Sequence, residues 1–139
     1  MSFLLDTNTV SELRKAKTGK INPNVKAWIE KIAPRELFLS AITLLELEMG
    51  IGLIECRDKA QAIVLQNWLS HHVLPIFEGR ILAIDAKIAL CCGKLHVPDP
   101  RAERDALIAA TALVHSMAVV TRNVKDFKPM GVEIINPWD

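Results

Sequence analysis

The chain has 139 residues, half of them apolar and 24% charged, with 17 Lys and Arg against 16 Asp and Glu and a net charge of +1. This composition excludes wholesale disorder and the low-complexity and collagen-like classes. It also excludes a uniformly basic nucleic-acid binder, while leaving room for a local basic face. Three cysteines, two of them adjacent at Cys91 and Cys92, do not make a disulfide framework and fit a reducing compartment. The length predicts one domain over residues 1–139. The longest apolar stretch, Ala106 to Val120, is interrupted by Thr111, His115 and Ser116 and is shorter than a bilayer requires. A soluble, cytoplasmic protein with no membrane partner is expected.

Short apolar runs alternate with helical patterns. Phe3-Leu4-Leu5 predicts a buried strand ending at Asp6. Asn24 to Ile32 carries Val25, Trp28, Ile29 and Ile32 at helical spacing. Leu37-Phe38-Leu39 predicts a second strand, after which Ser40 caps a helix carrying Ile42, Leu45 and Met49. Asp58 to His71 reads as a helix. Val73-Leu74-Pro75-Ile76 reads as a third strand that Pro75 confines to an edge or a strand start. Asp85 to Leu95 and Ala102 to Met117 follow as helices, separated by the loop Val97-Pro98-Asp99-Pro100. Met117 to Thr121 and Val132 to Ile135 supply a fourth and a fifth strand. Continuous apolar runs of this kind suit a parallel sheet covered on both faces. The fold class predicted is α/β, a three-layer α/β/α domain around a mainly parallel sheet of four to five strands.

In such sheets ligands bind beyond the carboxyl ends of the strands. Asp6 directly follows the first strand, and Glu46 lies in the helix after the second. Asp105 sits in the first turn of the Ala102 helix, and Asp126 follows the fourth strand. All four can face one crevice. Two like charges about 4 Å apart repel by roughly 4 kcal/mol at an effective dielectric near 20. Convergence therefore calls for a cation, protonation or intervening water. Oxygen-only donors with open positions suit Mg²⁺ or Mn²⁺. Each acid also has a structural explanation taken singly: Asp6 as a helix cap, Glu46 on a solvated face, Asp105 against a helix dipole, Asp126 in a turn.

The residues around the acids carry a resemblance. Phe3-Leu4-Leu5-Asp6-Thr7-Asn8 resembles the opening of a PIN domain, and Thr43-Leu44-Leu45-Glu46-Leu47-Glu48-Met49-Gly50 its second motif. Asp105-Ala106-Leu107-Ile108-Ala109-Ala110-Thr111-Ala112 resembles the third, and Val120-Thr121-Arg122-Asn123 through Asp126-Phe127 the fourth. Gly131-Val132 and Asn136-Pro137-Trp138 are similar to the tails of the family's bacterial toxin branch, the VapC-type ribonucleases with their FitB-like subgroup. The resemblance spans essentially the whole chain. It implies a Mg²⁺- or Mn²⁺-dependent endoribonuclease toxin, paired with a small VapB-type antitoxin that reaches operator DNA, and a homodimer. It assigns Asp6, Asp105 and Glu46 as metal ligands, with Glu46 orienting the attacking water. One position departs from the pattern. Many relatives have Asp directly after the Thr-Arg pair, where this chain has Asn123. Either Asp126 takes that role or Asn123 holds a metal-bound water, and one metal is the simpler expectation.

Thr7, Asn8, Thr121 and Asn123 are candidates for positioning water or phosphate. Arg14, Lys15, Lys17 and Lys20 follow the first motif, Arg101 and Arg104 flank the third, and Arg122 precedes the fourth. Of these, Arg14, Lys15, Arg104 and Arg122 are taken as the RNA-binding candidates. Aromatic residues make up 5% and Tyr is absent, so a base-stacking platform is not expected, and structured RNA is favoured over long single strands; tRNA as the target is implied by the family resemblance alone. Cys92 and His96, four apart on a helix, lack a second Cys/His pair with zinc spacing. Exposed apolar surface on the helices from Asn24 and Asp58 is expected to serve partner contacts. A PIN-like module that binds its partner without catalysis, and a metal-dependent phosphatase, remain as alternatives.

Overall fold

The computed structural model describes residues Met1 to Asp139. Strand β1 (Phe3–Leu5) leads through α1 (Thr7–Leu13), a 3-10 segment and α2 (Pro23–Glu30) to β2 (Leu37–Ser40). Next come α3 (Ala41–Glu55) and α4 (Lys59–Trp68), the latter running through a π-helical turn (Leu69–Val73) into α5 (Leu74–Ile76). Then follow β3 (Ile81–Leu82), α6 (Ala86–Leu95), α7 (Glu103–His115), β4 (Ala118–Val120), α8 (Val124–Phe127) and β5 (Ile134–Ile135). The five strands pair in the order β3-β2-β1-β4-β5, every pair parallel. The predicted sheet is therefore present, and it is wholly parallel.

The central strand shows why its neighbours are continuous apolar runs. Phe3 and Leu5 point into one core with Val10, Leu47 and Leu65, while Leu4 points the other way, toward Ile88, Ile108 and Phe127. Side chains alternate across a strand, so a strand covered by helices on both faces has no polar position. Phe3 and Trp28 meet edge to face at 5.3 Å, which fixes α2 against β1.

Caps set the helix starts as the sequence suggests. Ser40 Oγ accepts from Ile42 N–H at 3.0 Å, Asp58 from Gln61 N–H at 3.1 Å and Asp85 from Ile88 N–H at 3.0 Å. Two expectations are corrected. Val73 to Ile76 is helical, and the strand beside β2 is Ile81–Leu82. A four-residue apolar run has no period long enough to separate a strand from the end of a helix. The exposed apolar surface expected on the helix from Asp58 is present at Ile63 and Val64 of α4, and Leu45, Met49 and Leu53 of α3 add to it, whereas Trp28 and Ile29 of α2, the helix from Asn24, pack against the core. No helix is long and apolar enough to cross a membrane.

Candidate active site

The strand order reverses between β1 and β4, because β2 and β3 lie on one side of β1 and β4 and β5 on the other. At such a switch point the chains leave the adjacent strands in opposite directions and open a crevice at the carboxyl ends. Asp6 stands there, immediately after β1, and Thr121 stands there immediately after β4. Asp6 N–H donates to the Val120 carbonyl at 3.1 Å, continuing the ladder to the crevice floor.

Asp6 is only 5% exposed and Thr121 is fully buried. Asp6 Oδ1 accepts from Thr9 N–H at 2.9 Å, so the residue caps α1 as well as facing the crevice. Thr9 Oγ1 lies 2.7 Å from the same oxygen and 2.9 Å from the Val120 carbonyl. Thr121 Oγ1 donates to Asp6 Oδ2 at 2.6 Å and accepts from Asn123 N–H at 2.9 Å. A carboxylate offers about four lone-pair sites. Oδ1 is occupied by Thr9, while Oδ2 keeps capacity beyond its one hydroxyl. Burial raises the Asp6 carboxyl above the ordinary range, the Thr121 and Thr9 bonds pull against that, and Glu46 adds a smaller upward push.

Glu46 enters from the second turn of α3. Its Oε1 accepts from Thr7 Oγ1 at 2.6 Å, and its Oε2 lies 3.8 Å from Arg104 Nε. Thr43, fully buried one turn before Glu46, stands 3.5 Å from the Thr7 hydroxyl. Asp105 comes from the first turn of α7. Burial raises its carboxyl, and the charges of Asp126, Glu46 and Asp6 raise it further, against a lowering by Arg104. The four predicted acids thus feel one another across the crevice. Asp126 itself is exposed on α8 and lines a cavity that it shares with Asp105.

The other predicted residues divide. Thr7 and Thr121 hold acids in place, as described. Asn8 is exposed on α1, and Asn123 is the N-terminal flanking residue of α8, with its backbone bonded to Thr121. Lys15 pairs with Glu12 at 3.1 Å, and Arg122 lies over the Trp138 ring at 5.7 Å. Arg104 is taken up by Glu46 and by Met49 Sδ at 3.7 Å. Arg14 lines the end of the crevice with Thr7, Glu46 and Trp68. Sequence reasoning missed Thr9 and Thr43. A hydroxyl three residues after an N-cap acid is the signal that would have found Thr9.

No three carboxylate, histidine or cysteine groups come close enough to enclose an ion by themselves. The donors are nonetheless all oxygen, clustered and repelling, with an open lone pair on Asp6. That suits a hard cation held by one or two carboxylates and completed by water and phosphate oxygens, the habit of Mg²⁺. It does not suit a closed structural zinc site.

The comparisons with known proteins agree with this geometry. The PIN-domain family pattern matches residues 3–131. The chain is 36% identical to the VapC ribonuclease Y4jK of Sinorhizobium fredii over 99% of this chain and 98% of that one. It is 37% identical to toxin FitB of Neisseria gonorrhoeae over 98% of each chain. The solved structure of FitAB bound to an IR36 DNA fragment superposes with a TM-score of 0.87 at 34% identity, covering 99% of this chain and 96% of that one. The match of sequence, topology and acid-lined crevice means that this chain belongs to the PIN-domain family, in its VapC and FitB branch.

Proposed function

We propose that this chain is the endoribonuclease toxin of a toxin–antitoxin pair, hydrolysing RNA with the help of a divalent cation, Mg²⁺ or Mn²⁺. The observation that carries the reading is the buried Asp6 facing Glu46 and Asp105 at the β1/β4 switch point, in a chain whose whole-length relatives are named VapC ribonuclease and toxin FitB. Its partner is a VapB-like antitoxin. The similarity to FitAB on DNA supports a toxin–antitoxin assembly that reaches operator DNA through the antitoxin. A homodimer in the cytoplasm completes the reading.

Asp6 and Asp105 would hold the cation. When bound, it supplies positive charge that polarises the scissile phosphate and makes water a nucleophile at neutral pH. The chain's own residues do the rest. Thr121 and Thr9 fix the Asp6 carboxylate against rotation. Thr7 fixes Glu46, whose carboxylate accepts a proton from the attacking water and orients it in line with the leaving oxygen. Asp126, on the far side of Asp105, supplies the fourth acid in place of Asn123.

The test is incubation of the purified chain with total tRNA and with other RNA, in Mg²⁺ or Mn²⁺ and in EDTA, beside Asp6→Asn. Metal-dependent cutting that disappears in the variant supports the assignment. Equal cutting by Asp6→Asn, or cutting in EDTA, overturns it.

A further inference from the structure

Asp105 lines two adjoining cavities. One holds Glu46 and Arg104, and the other, of about 230 Å³, holds Arg101, Lys125 and Asp126. The ion pairs of the chain are Lys15–Glu12 and Arg104–Glu46, so Arg101 and Lys125 are unpaired although two acids share their cavity. Arg101 Nε is also the one buried side-chain nitrogen or oxygen without a hydrogen-bond partner. A buried donor with no acceptor is costly, and water, an ion or a ligand group can supply the missing partner.

The Arg101 backbone, in contrast, is fixed. Its N–H donates to His96 Nδ1 at 3.0 Å, and His96 Nε2 lies 3.8 Å from Cys92 Sγ on α6. The residue is thereby tied to the helix before it, with a side chain that lines the cavity and forms no ion pair. A guanidinium fork matches the oxygens of a phosphate, and the exposed Lys125 ammonium adds a second charge.

We propose that Arg101 and Lys125 seat a backbone phosphate of the RNA beside the one being cut, because their cavity adjoins the acid centre through Asp105. This rests on the reading of the chain as a ribonuclease, which makes a phosphodiester strand the anion that passes the acids. Of the four cations taken from the sequence as RNA-binding candidates, Lys15, Arg104 and Arg122 already have partners within the chain. These two do not.

The experiment is binding of fluorescent total tRNA in EDTA across a salt series, for the wild type, Arg101→Gln, Lys125→Gln and the distant surface control Lys26→Gln. Each cavity variant is expected to weaken binding about fivefold at 0.1 M salt. Its plot of log affinity against log salt should be shallower by about 0.7 to 0.9. Lys26→Gln should follow the wild type. Lys125 is exposed, so its variant reads the site even where Arg101→Gln fails to fold. Slopes equal to wild type in both variants overturn the proposal, as does a wild type that binds no tRNA. So does unchanged tRNA binding with weakened binding of polyglutamate, which would give the cavity to an acidic protein segment. Altered slopes in a protein that never cuts RNA would keep the phosphate seat and overturn the nuclease reading. Metal-dependent cutting with unaltered slopes would do the reverse.

Discussion

Thr121 and Asp6 are 115 residues apart in sequence, and the Thr121 hydroxyl donates to Asp6 Oδ2 at 2.6 Å in a buried site. The bond joins the ends of two adjacent parallel strands at the floor of the crevice. It also opposes the effect of burial, because a donor to a carboxylate favours its ionised form. Thr121→Val keeps the shape and removes the hydroxyl. It leaves Asp6 short of a donor and Asn123 N–H short of an acceptor. The expected cost is about 1–3 kcal/mol in urea unfolding at pH 7. The acid limb of the cleavage profile should move to higher pH, because Asp6 then ionises less readily. Thr121→Ser should restore both.

Asp105→Asn tests the electrostatic strain of the metal-free site. The folded Asp105 carboxyl is raised above its ordinary value of 3.8 by burial and by the neighbouring acids. Below that value both folded and unfolded chains are protonated there, and the residue makes no difference. As pH rises, the unfolded chain ionises first and stability is lost, until the folded carboxyl ionises too. The variant has no such loss. Melting curves in EDTA should coincide near pH 3.5, and at pH 7 the variant should melt about 2 °C higher. A variant that melts lower at pH 7 would contradict the repulsion argument.

The fold and site were legible where local chemistry and tertiary structure agree. Leu4 and its neighbours are apolar because the strand is covered twice, and Asp6, Asp58 and Asp85 mark helix starts by their position alone. Asp6 also shows how two explanations of one residue can both hold, since its two oxygens divide between the cap and the crevice. Ile81–Leu82 was not legible, because two residues carry no periodicity and its pairing with Leu39 and Ser40 depends on where α5 ends. Which of the cations flanking the motifs stay unpaired was not legible for a different reason. Many cations flank the motifs, and which of them are already paired is a property of the packed chain.

Thr7→Val separates positioning from binding. Glu46 would lose its 2.6 Å hydroxyl donor and keep only the 3.8 Å approach of Arg104. A hydrogen bond to a charged group contributes about 1.5–3 kcal/mol, which corresponds to about 10- to 100-fold in rate when it acts in the transition state. The expected result is a kcat at least about tenfold lower with KM within about twofold, and rescue by Thr7→Ser. A change in KM alone would place Thr7 on the substrate and remove it from the support of Glu46.

Arg80 tests how the sheet edge is held. Its guanidinium donates to the Leu37 carbonyl at 2.6 Å and to the carbonyls of Pro34 and Ile76, and it lies over the Phe77 ring at 5.2 Å. One planar fork thus joins the entry of β2 to the end of α5, and Arg80 itself accepts from Leu39 N–H at the start of β3. Lysine keeps the charge but cannot present donors in two directions of one plane. Arg80→Lys is therefore expected to cost about 1–3 kcal/mol in urea unfolding, with cleavage per folded molecule unchanged, because the crevice lies at β1 and β4. Wild-type stability in Arg80→Lys would mean that charge alone holds this edge. Lost activity at full folding would mean that the β2–β3 edge also shapes the crevice.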